Sequence, residues 1–95
     1  MFSFKGRVGI VTGGTRGIGR ETALLLSEYG SKVIASYKDN VDSANRLKEQ
    51  DNEILLFKGD ISEEERAKDL IEFAFSSFGC VDFLVNSAGI WTPLN

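Results

Sequence analysis

A glycine-rich stretch near the N-terminus is the first place where this chain of 95 residues could do chemistry. Residues 12–19 read TGGTRGIG and follow the apolar run of residues 8–11. Glycine costs about 0.5–1 kcal/mol relative to alanine inside regular structure, so this many glycines need a reason. Either the backbone turns unusually here or a ligand comes too close for side chains. Between a strand and a helix, such a loop favours a phosphate or pyrophosphate, because a helix N-terminus has unpaired N–H groups and a partial positive charge.

The spacing of these glycines excludes two common phosphate-binding motifs. A P-loop needs Gly-Lys followed by Ser or Thr, and the chain has no such triplet. The dinucleotide fingerprint GxGxxG does not fit either, because Gly13, Gly17 and Gly19 follow the pattern GxxxGxG.

Alternating strands and helices are predicted to position this loop. Short apolar runs predict four strands, over residues 7–12, 32–37, 53–58 and 82–86. Short connections between alternating strands and helices require parallel strands. With right-handed crossovers, the chain is an α/β protein of topology βαβαβαβ, the N-terminal half of a doubly wound parallel sheet. The glycine loop then lies at the carboxyl end of the sheet, where ligands of such folds bind.

Capping residues and apolar periodicity define the three helices. The first helix is predicted over about residues 17–29, and the second begins after a cap at Asp39 or Asn40. The third begins at a capping box of Ser62 with Glu65 and ends at Gly79. Helical spacing predicts buried faces of Ile18, Thr22, Leu25, Leu26 and Tyr29 in the first helix, Val41, Ala44 and Leu47 in the second, and Ala67, Leu70, Ile71, Ala74, Phe75 and Phe78 in the third.

Two further motifs follow the third and fourth predicted strands. Asp60 comes after the third strand, and residues 86–89, NSAG, close the fourth. With Thr12 ahead of GxxxGxG, these motifs resemble the short-chain dehydrogenase/reductase family, whose signatures are TGxxxGxG, an acidic residue that contacts adenine, and NNAG. Ser87 departs from the family's second asparagine. The resemblance covers essentially the whole chain. It implies that residues 1–95 are a partial, Rossmann-like NAD(P)-binding domain with the strand order 3-2-1-4.

The same resemblance implies which residues contact the dinucleotide. We predict the cofactor-binding set Gly13, Thr15, Arg16, Gly17, Ile18, Gly19, Ser36, Tyr37, Lys38, Asp60, Ile61, Asn86, Ala88 and Gly89. For residues 86–89 a scaffold role is an equal alternative. Asp60 could instead be a loop carboxylate beside Ser62, and Asp82 is expected to be a solvated residue at the start of a strand.

The end of the second strand favours NADP over NAD. An acidic residue there binds the ribose 2′-hydroxyl of NAD, while a basic one accommodates a 2′-phosphate. Ser36 occupies this position and Lys38 follows it, while Arg16 lies within the glycine loop. Two cations favour the phosphate through charge-assisted hydrogen bonds. Asp39 argues against this assignment, but it lies beyond the position and is interpreted as a helix cap.

No catalytic residue or metal ligand is predicted within the chain. The family's reaction resembles general acid–base chemistry by a serine and a Tyr-x-x-x-Lys pair. Here Tyr29 and Tyr37 are followed four residues later by Val33 and Val41, and there is no histidine. Cys80 is interpreted as a small filler residue. The resemblance therefore implies a truncated, cofactor-binding part of an oxidoreductase acting on a carbonyl or alcohol, such as a 3-oxoacyl-carrier-protein reductase or a sugar or alcohol dehydrogenase. A non-catalytic dinucleotide-binding or sensing module is the alternative, and a mononucleotide-binding or scaffold protein is a third.

Composition limits the partners and the location. The net charge is −3 without a dense basic cluster, so no nucleic acid is expected, and no apolar run is long enough for a membrane span. One cysteine and the absence of a signal peptide favour the cytoplasm. The intact enzyme is expected to be a homo-oligomer. The fourth strand should be an exposed apolar sheet edge, so the chain alone is expected to be marginally stable or to self-associate through it. A cooperative melt from a monodisperse monomer would contradict that expectation.

Overall fold

Four strands and three helices alternate along residues 3–87, which are the residues that the computed structural model describes. The elements, in chain order, are β1 (Val8–Thr12), α1 (Gly17–Glu28), β2 (Lys32–Tyr37), α2 (Val41–Gln50), β3 (Leu55–Lys58), α3 (Glu64–Phe78) and β4 (Phe83–Asn86). The predicted alternation is confirmed. β3 begins two residues later than predicted, because Glu53 lies in a turn where its N–H donates to Asp51 Oδ1 at 3.1 Å.

The strands form one parallel sheet in the order β3-β2-β1-β4, which confirms the predicted topology. Thr12, the last residue of β1, lies opposite Ser36 of β2 and Asn86 of β4. Tyr37 of β2 lies opposite Lys58 of β3. The carboxyl ends of all four strands therefore meet at one edge of the sheet.

Apolar side chains cover both faces of the sheet. Because successive strand residues point to opposite faces, Val11 packs with residues of α1 and α2, while its neighbour Ile10 packs with residues of α3. All five residues of β1 are buried, as expected for a strand of a parallel sheet between two helical layers. Burying each such aliphatic side chain contributes about 1.5–3 kcal/mol to folding.

The predicted faces of the helices were partly wrong. In α1 the buried residues are Gly19, Ala23 and Leu26, while Ile18 is 82% exposed. Gly19 and Ala23 are small and let α1 lie close to the sheet, and Leu26 is the one large side chain among the three. Exposure also contradicts the prediction at Leu25 in α1, at Tyr29 just after it, at Val41 in α2, and at Ile71 and Phe75 in α3. Burial is confirmed at Leu26, Ala44, Leu47, Leu70 and Ala74.

The caps of α2 and α3 correct two further predictions. Asn40, and not Asp39, caps α2, since its Oδ1 accepts the Ser43 N–H at 3.0 Å. The capping box at Ser62 is wrong, because α3 begins after Glu63, which makes no side-chain cap bond. The Ser62 hydroxyl donates to Asp60 Oδ1 instead. Gly79 ends α3 in the left-handed region, as predicted.

β4 lies at one edge of the sheet and pairs only with β1 among the described strands. Leu84 in this strand is 59% exposed. Asp82, just before the strand, is not simply solvated: its Oδ2 accepts the Val8 N–H at 2.7 Å and so joins β4 to the start of β1. Within residues 3–87 no helix has the length and apolarity that a membrane span needs.

Candidate cofactor-binding site

The glycine-rich loop joins the carboxyl end of β1 to the start of α1. Gly13 and Gly17 have φ values of 65° and 61°, in the left-handed region that favours glycine. The Gly14 N–H donates to the Ser36 carbonyl at 3.1 Å, which fixes the loop against the end of β2. Part of the glycine content is therefore explained by the turn itself.

The remaining glycines are explained by close approach. A Cβ on Gly19 would overlap the carbonyl oxygen of Gly13 and the hydroxyl of Ser87, so α1 lies directly against the loop and the end of β4. A Cβ on Gly14 would lie 2.8 Å from the Val11 carbonyl oxygen and 2.9 Å from Ala35 Cβ. Gly14 was absent from the predicted set, although its place in a Gly-Gly pair was a sign of such crowding.

The N-terminus of α1 is open to an anion. Arg16 is the N-cap residue in an extended conformation, and it makes no side-chain cap bond. No acidic residue lies in the first turn of α1, whereas α2 carries Asp42 there and α3 carries Glu64 and Glu65. The partial positive charge of this helix end is therefore not offset by a nearby carboxylate in its first turn. Of the loop residues predicted to bind, Arg16, Gly17 and Ile18 are exposed, while Thr15 is buried.

The end of β4 is tied to the end of β1 by side chains. Thr12 Oγ1 donates to Asn86 Oδ1 at 2.9 Å. Ser87 donates to the Thr12 carbonyl twice, from its N–H at 3.2 Å and from its hydroxyl at 2.6 Å. These bonds support the scaffold interpretation of this motif. Its other two predicted residues, Ala88 and Gly89, lie outside the residues that the structure describes.

The end of β2 places a cation beside the loop after β3. Ser36 is buried, Tyr37 is half-buried and Lys38 is exposed. The Gly59 N–H donates to the Tyr37 carbonyl at 2.8 Å, so the chain after β3 stays beside β2. Lys38 Nζ then lies 3.7 Å from Asp60 Oδ2. Two residues that the sequence predicted as separate ligand contacts are thus an ion pair.

Asp60 is fixed by its own loop. Its Oδ1 accepts the Ser62 hydroxyl at 2.6 Å and the Ser62 N–H at 3.0 Å. The hydrogen bond from the Ser62 hydroxyl is the largest cause of a pKa of the Asp60 carboxyl below its ordinary value of 3.8. The bond from the Ser62 N–H and the positive charge of Lys38 lower this pKa further. The neighbouring Ile61 is half-buried against the core beneath α3. Asp60 is therefore an anion at neutral pH, next to the end of β2.

These positions form one candidate site along the carboxyl edge of the sheet. The glycine loop lies between the end of β2 and the end of β4, since Thr12 pairs with both Ser36 and Asn86. Open N–H groups and Arg16 suit phosphate oxygens, and Lys38 adds a second cation. Within residues 3–87 no group of three or more His, Cys, Asp or Glu residues could hold a metal ion.

Comparison with known proteins decides the family. Residues 7–95 match the family described as short chain dehydrogenase. The chain belongs to this family. The resemblance carried by the three motifs is thereby confirmed. Members of this family are oxidoreductases that use a nicotinamide cofactor.

Individual short-chain dehydrogenases are similar over most of this chain. The acetoacetyl-CoA reductase of Shinella zoogloeoides is 42% identical over 84 residues, covering 88% of this chain and 34% of that protein. General stress protein 39 of Bacillus subtilis (strain 168) is 35% identical over 93 residues, covering 94% of this chain and 32% of that protein. A solved structure described as a 3-oxoacyl-reductase from Bacillus thuringiensis superposes with a TM-score of 0.85 at 27% identity, covering 92% of this chain and 38% of that one. The chain thus spans about a third of the length of the curated relatives it matches.

Proposed function

We propose that this short-chain dehydrogenase chain is the NADP-binding part of an oxidoreductase acting on a carbonyl or alcohol. When bound, the nicotinamide would supply hydride transfer. The observation that carries the proposal is the carboxyl edge of the sheet, where an open helix N-terminus, a cation after β2 and a fixed carboxylate after β3 occur at adjacent strand ends. The crowded Gly14 and Gly19 fit such a ligand, because they keep the loop and α1 close to the sheet.

Each part of the chain has a role in this proposal. The N–H groups of the loop and of the first turn of α1 bind the pyrophosphate. Arg16 and Lys38 bind a 2′-phosphate, since Ser36 stands where a carboxylate would select NAD. Asp60 and Ile61 lie on the adenine side. Asn86 and Ser87 hold the end of β4 against the end of β1 through their hydrogen bonds with Thr12.

The substrate class is inferred from the relatives. Acetoacetyl-CoA is itself a 3-oxoacyl thioester, so the names of two similar proteins concern the same kind of carbonyl group. We therefore propose a 3-oxoacyl thioester as the substrate of the enzyme to which this chain contributes.

The second candidate function is that of a dinucleotide-binding or sensing module. Such a module binds cofactor without turnover.

The location and assembly are parts of the same proposal. The single cysteine fits a reducing compartment, and we propose the cytoplasm. We propose that the enzyme is a homo-oligomer and that this chain self-associates through β4. The exposed Leu84 on an edge strand supports the second statement.

The cofactor assignment is tested by replacing both cations. Calorimetric titration of the 95-residue chain should show tighter binding of NADPH than of NADH. In the variant Arg16→Ala/Lys38→Ala, the affinity for NADPH should fall about tenfold or more and the affinity for NADH much less, because only NADPH has the charged group that these side chains bind.

A control variant removes the same charge elsewhere. Lys5→Ala/Arg46→Ala replaces two exposed cations, one before β1 and one within α2, and should leave both affinities unchanged. An unaltered NADPH affinity in Arg16→Ala/Lys38→Ala would show that these residues do not bind the 2′-phosphate.

A further inference from the structure

Lys38 and Asp60 are held close together by the backbone that precedes them. Each lies a short distance beyond a strand end, and those strand ends are paired, with Tyr37 opposite Lys58. The Gly59 N–H bonds to the Tyr37 carbonyl at 2.8 Å, one residue before Asp60. The separation of 3.7 Å between Lys38 Nζ and Asp60 Oδ2 therefore follows from the sheet itself.

The two partners of this ion pair differ in how firmly they are held. Asp60 accepts two hydrogen bonds from Ser62, which fix its carboxylate. The Lys38 side chain is 69% exposed, and the ion pair is the one side-chain interaction found for it among residues 3–87. When another anion approaches, Lys38 can move toward it while Asp60 stays in place.

A phosphate monoester bound by Lys38 would meet this fixed carboxylate. The phosphate carries more than one negative charge near neutral pH, so it is repelled by Asp60 and competes with it for the ammonium group. A ribose with a free 2′-hydroxyl has no such charge and experiences neither effect. The carboxylate thus opposes the phosphorylated cofactor specifically.

We propose that Asp60 sets the cofactor preference of this chain by competing with the 2′-phosphate for Lys38, so that its charge lowers the selectivity for NADPH over NADH. The proposal rests on the assignment of Lys38 to the 2′-phosphate. It makes Asp60 a selectivity residue in addition to any contact with adenine, which both cofactors share.

Asp60→Asn tests this directly, because the amide oxygen can still accept the hydrogen bonds from Ser62. The measured quantity is the Kd of NADH divided by the Kd of NADPH, in which effects on adenine binding cancel. This ratio should rise roughly two- to fivefold in Asp60→Asn, as expected for an exposed ion pair, and the rise should shrink at high salt. In the Lys38→Ala background, Asp60→Asn should raise the ratio less, because the competition for the cation is gone and only the direct repulsion by Asp60 remains to be removed.

Asp39→Asn is the matched control. It removes the same charge from the residue next to Lys38, but Asp39 is exposed and forms no ion pair within the described region. Its effect on the ratio should be clearly smaller. Ser62→Ala supplies a second variant: the freed carboxylate can leave Lys38, and the ratio should rise by less than in Asp60→Asn.

The outcomes separate this inference from the proposal beneath it. If the wild type prefers NADPH and loses that preference in Arg16→Ala/Lys38→Ala, but Asp60→Asn leaves the ratio unchanged or lower, the role of Asp60 is overturned alone. An equal rise in Asp39→Asn also overturns it, since any nearby charge would then suffice. If Arg16→Ala/Lys38→Ala has no effect on the NADPH affinity, the cofactor assignment fails and this inference fails with it.

Discussion

Ser62 is the side chain that determines the acidity of Asp60. Its hydroxyl donates at 2.6 Å and is the first cause of the lowered pKa of that carboxyl. In Ser62→Ala the pKa of Asp60 should rise toward its ordinary value of 3.8, because the charged form loses a hydrogen bond. The side-chain carboxyl carbon resonance of Asp60, followed through an acid titration, measures this directly.

The control for this measurement is Ser76→Ala, an exposed serine of α3 outside the loop of Asp60. It should leave the titration midpoint of Asp60 where it is in the wild type. The same midpoint in Ser62→Ala as in the wild type would contradict the assigned cause.

The lowered pKa of Asp60 also has a defined effect on stability. A carboxyl whose pKa is lower in the folded state than in the unfolded state stabilises the fold above its unfolded pKa, and this contribution is lost as the pH falls through its folded pKa. For Asp60 this stabilising contribution is lost on acidification below about pH 4, because the ordinary pKa of the carboxyl is 3.8 and its pKa in the folded chain is lower. Ser62→Ala should reduce this part of the acid sensitivity.

For single residues, the sequence identified the chemical type of each group, and it gave the contact of Asp60 with Ser62 only as an alternative, which the structure confirms. Gly13, Gly17 and Gly19 were predicted correctly as places of turn or close approach. The role of Ser62 was wrong, because a serine three residues before a glutamate fits a capping box as well as a loop contact. Only the turn after β3, which brings Ser62 back onto Asp60, distinguishes the two.

At the scale of elements, the contact between α1 and the sheet depends on small residues. In Gly19→Ala the new methyl group would overlap the Gly13 carbonyl and the Ser87 hydroxyl, so α1 must shift. We expect a loss of about 1–3 kcal/mol in the free energy of unfolding, which exceeds the gain of about 1 kcal/mol in helix propensity. Urea denaturation followed by circular dichroism measures the difference.

Arg20→Ala, at the next position of α1, introduces the same side chain where Arg20 is only partly buried and pairs with the exposed Glu21. It should change the free energy of unfolding by less than about 0.5 kcal/mol. If Gly19→Ala is as stable as the wild type or more stable, α1 is not packed as closely as described.

The contact of α1 also explains why its buried face could not be predicted. Apolar periodicity assumes that the larger apolar residues face the core, and Ile18, Leu25 and Tyr29 satisfied that pattern. The residues buried against the sheet are instead Gly19, Ala23 and Leu26, because α1 lies too close at Gly19 for a larger side chain. In α3, where leucine and alanine face the sheet at the usual spacing, the prediction was correct at Leu70 and Ala74.

For the whole molecule, connectivity limited the strand order to a few arrangements, and the resemblance to the family implied the order that is observed. That order is what brings the separate sequence motifs to one edge. The ion pair between Lys38 and Asp60 could not be predicted, since it depends on the positions of two loops that are 22 residues apart in sequence.

We expect the carboxyl edge of this sheet to bind NADP. The most direct test is a titration of the 15N-labelled chain with NADP⁺, followed through its backbone amide resonances. We expect saturable shifts at residues 13–19, at Lys38 and at Asp60, and little change at Gly30 and Gly79 at the opposite ends of the strands. NAD⁺ should shift the loop more weakly and Lys38 hardly at all. The absence of saturable shifts at residues 13–19, or equal shifts at both ends of the sheet, would contradict binding of NADP at the carboxyl edge.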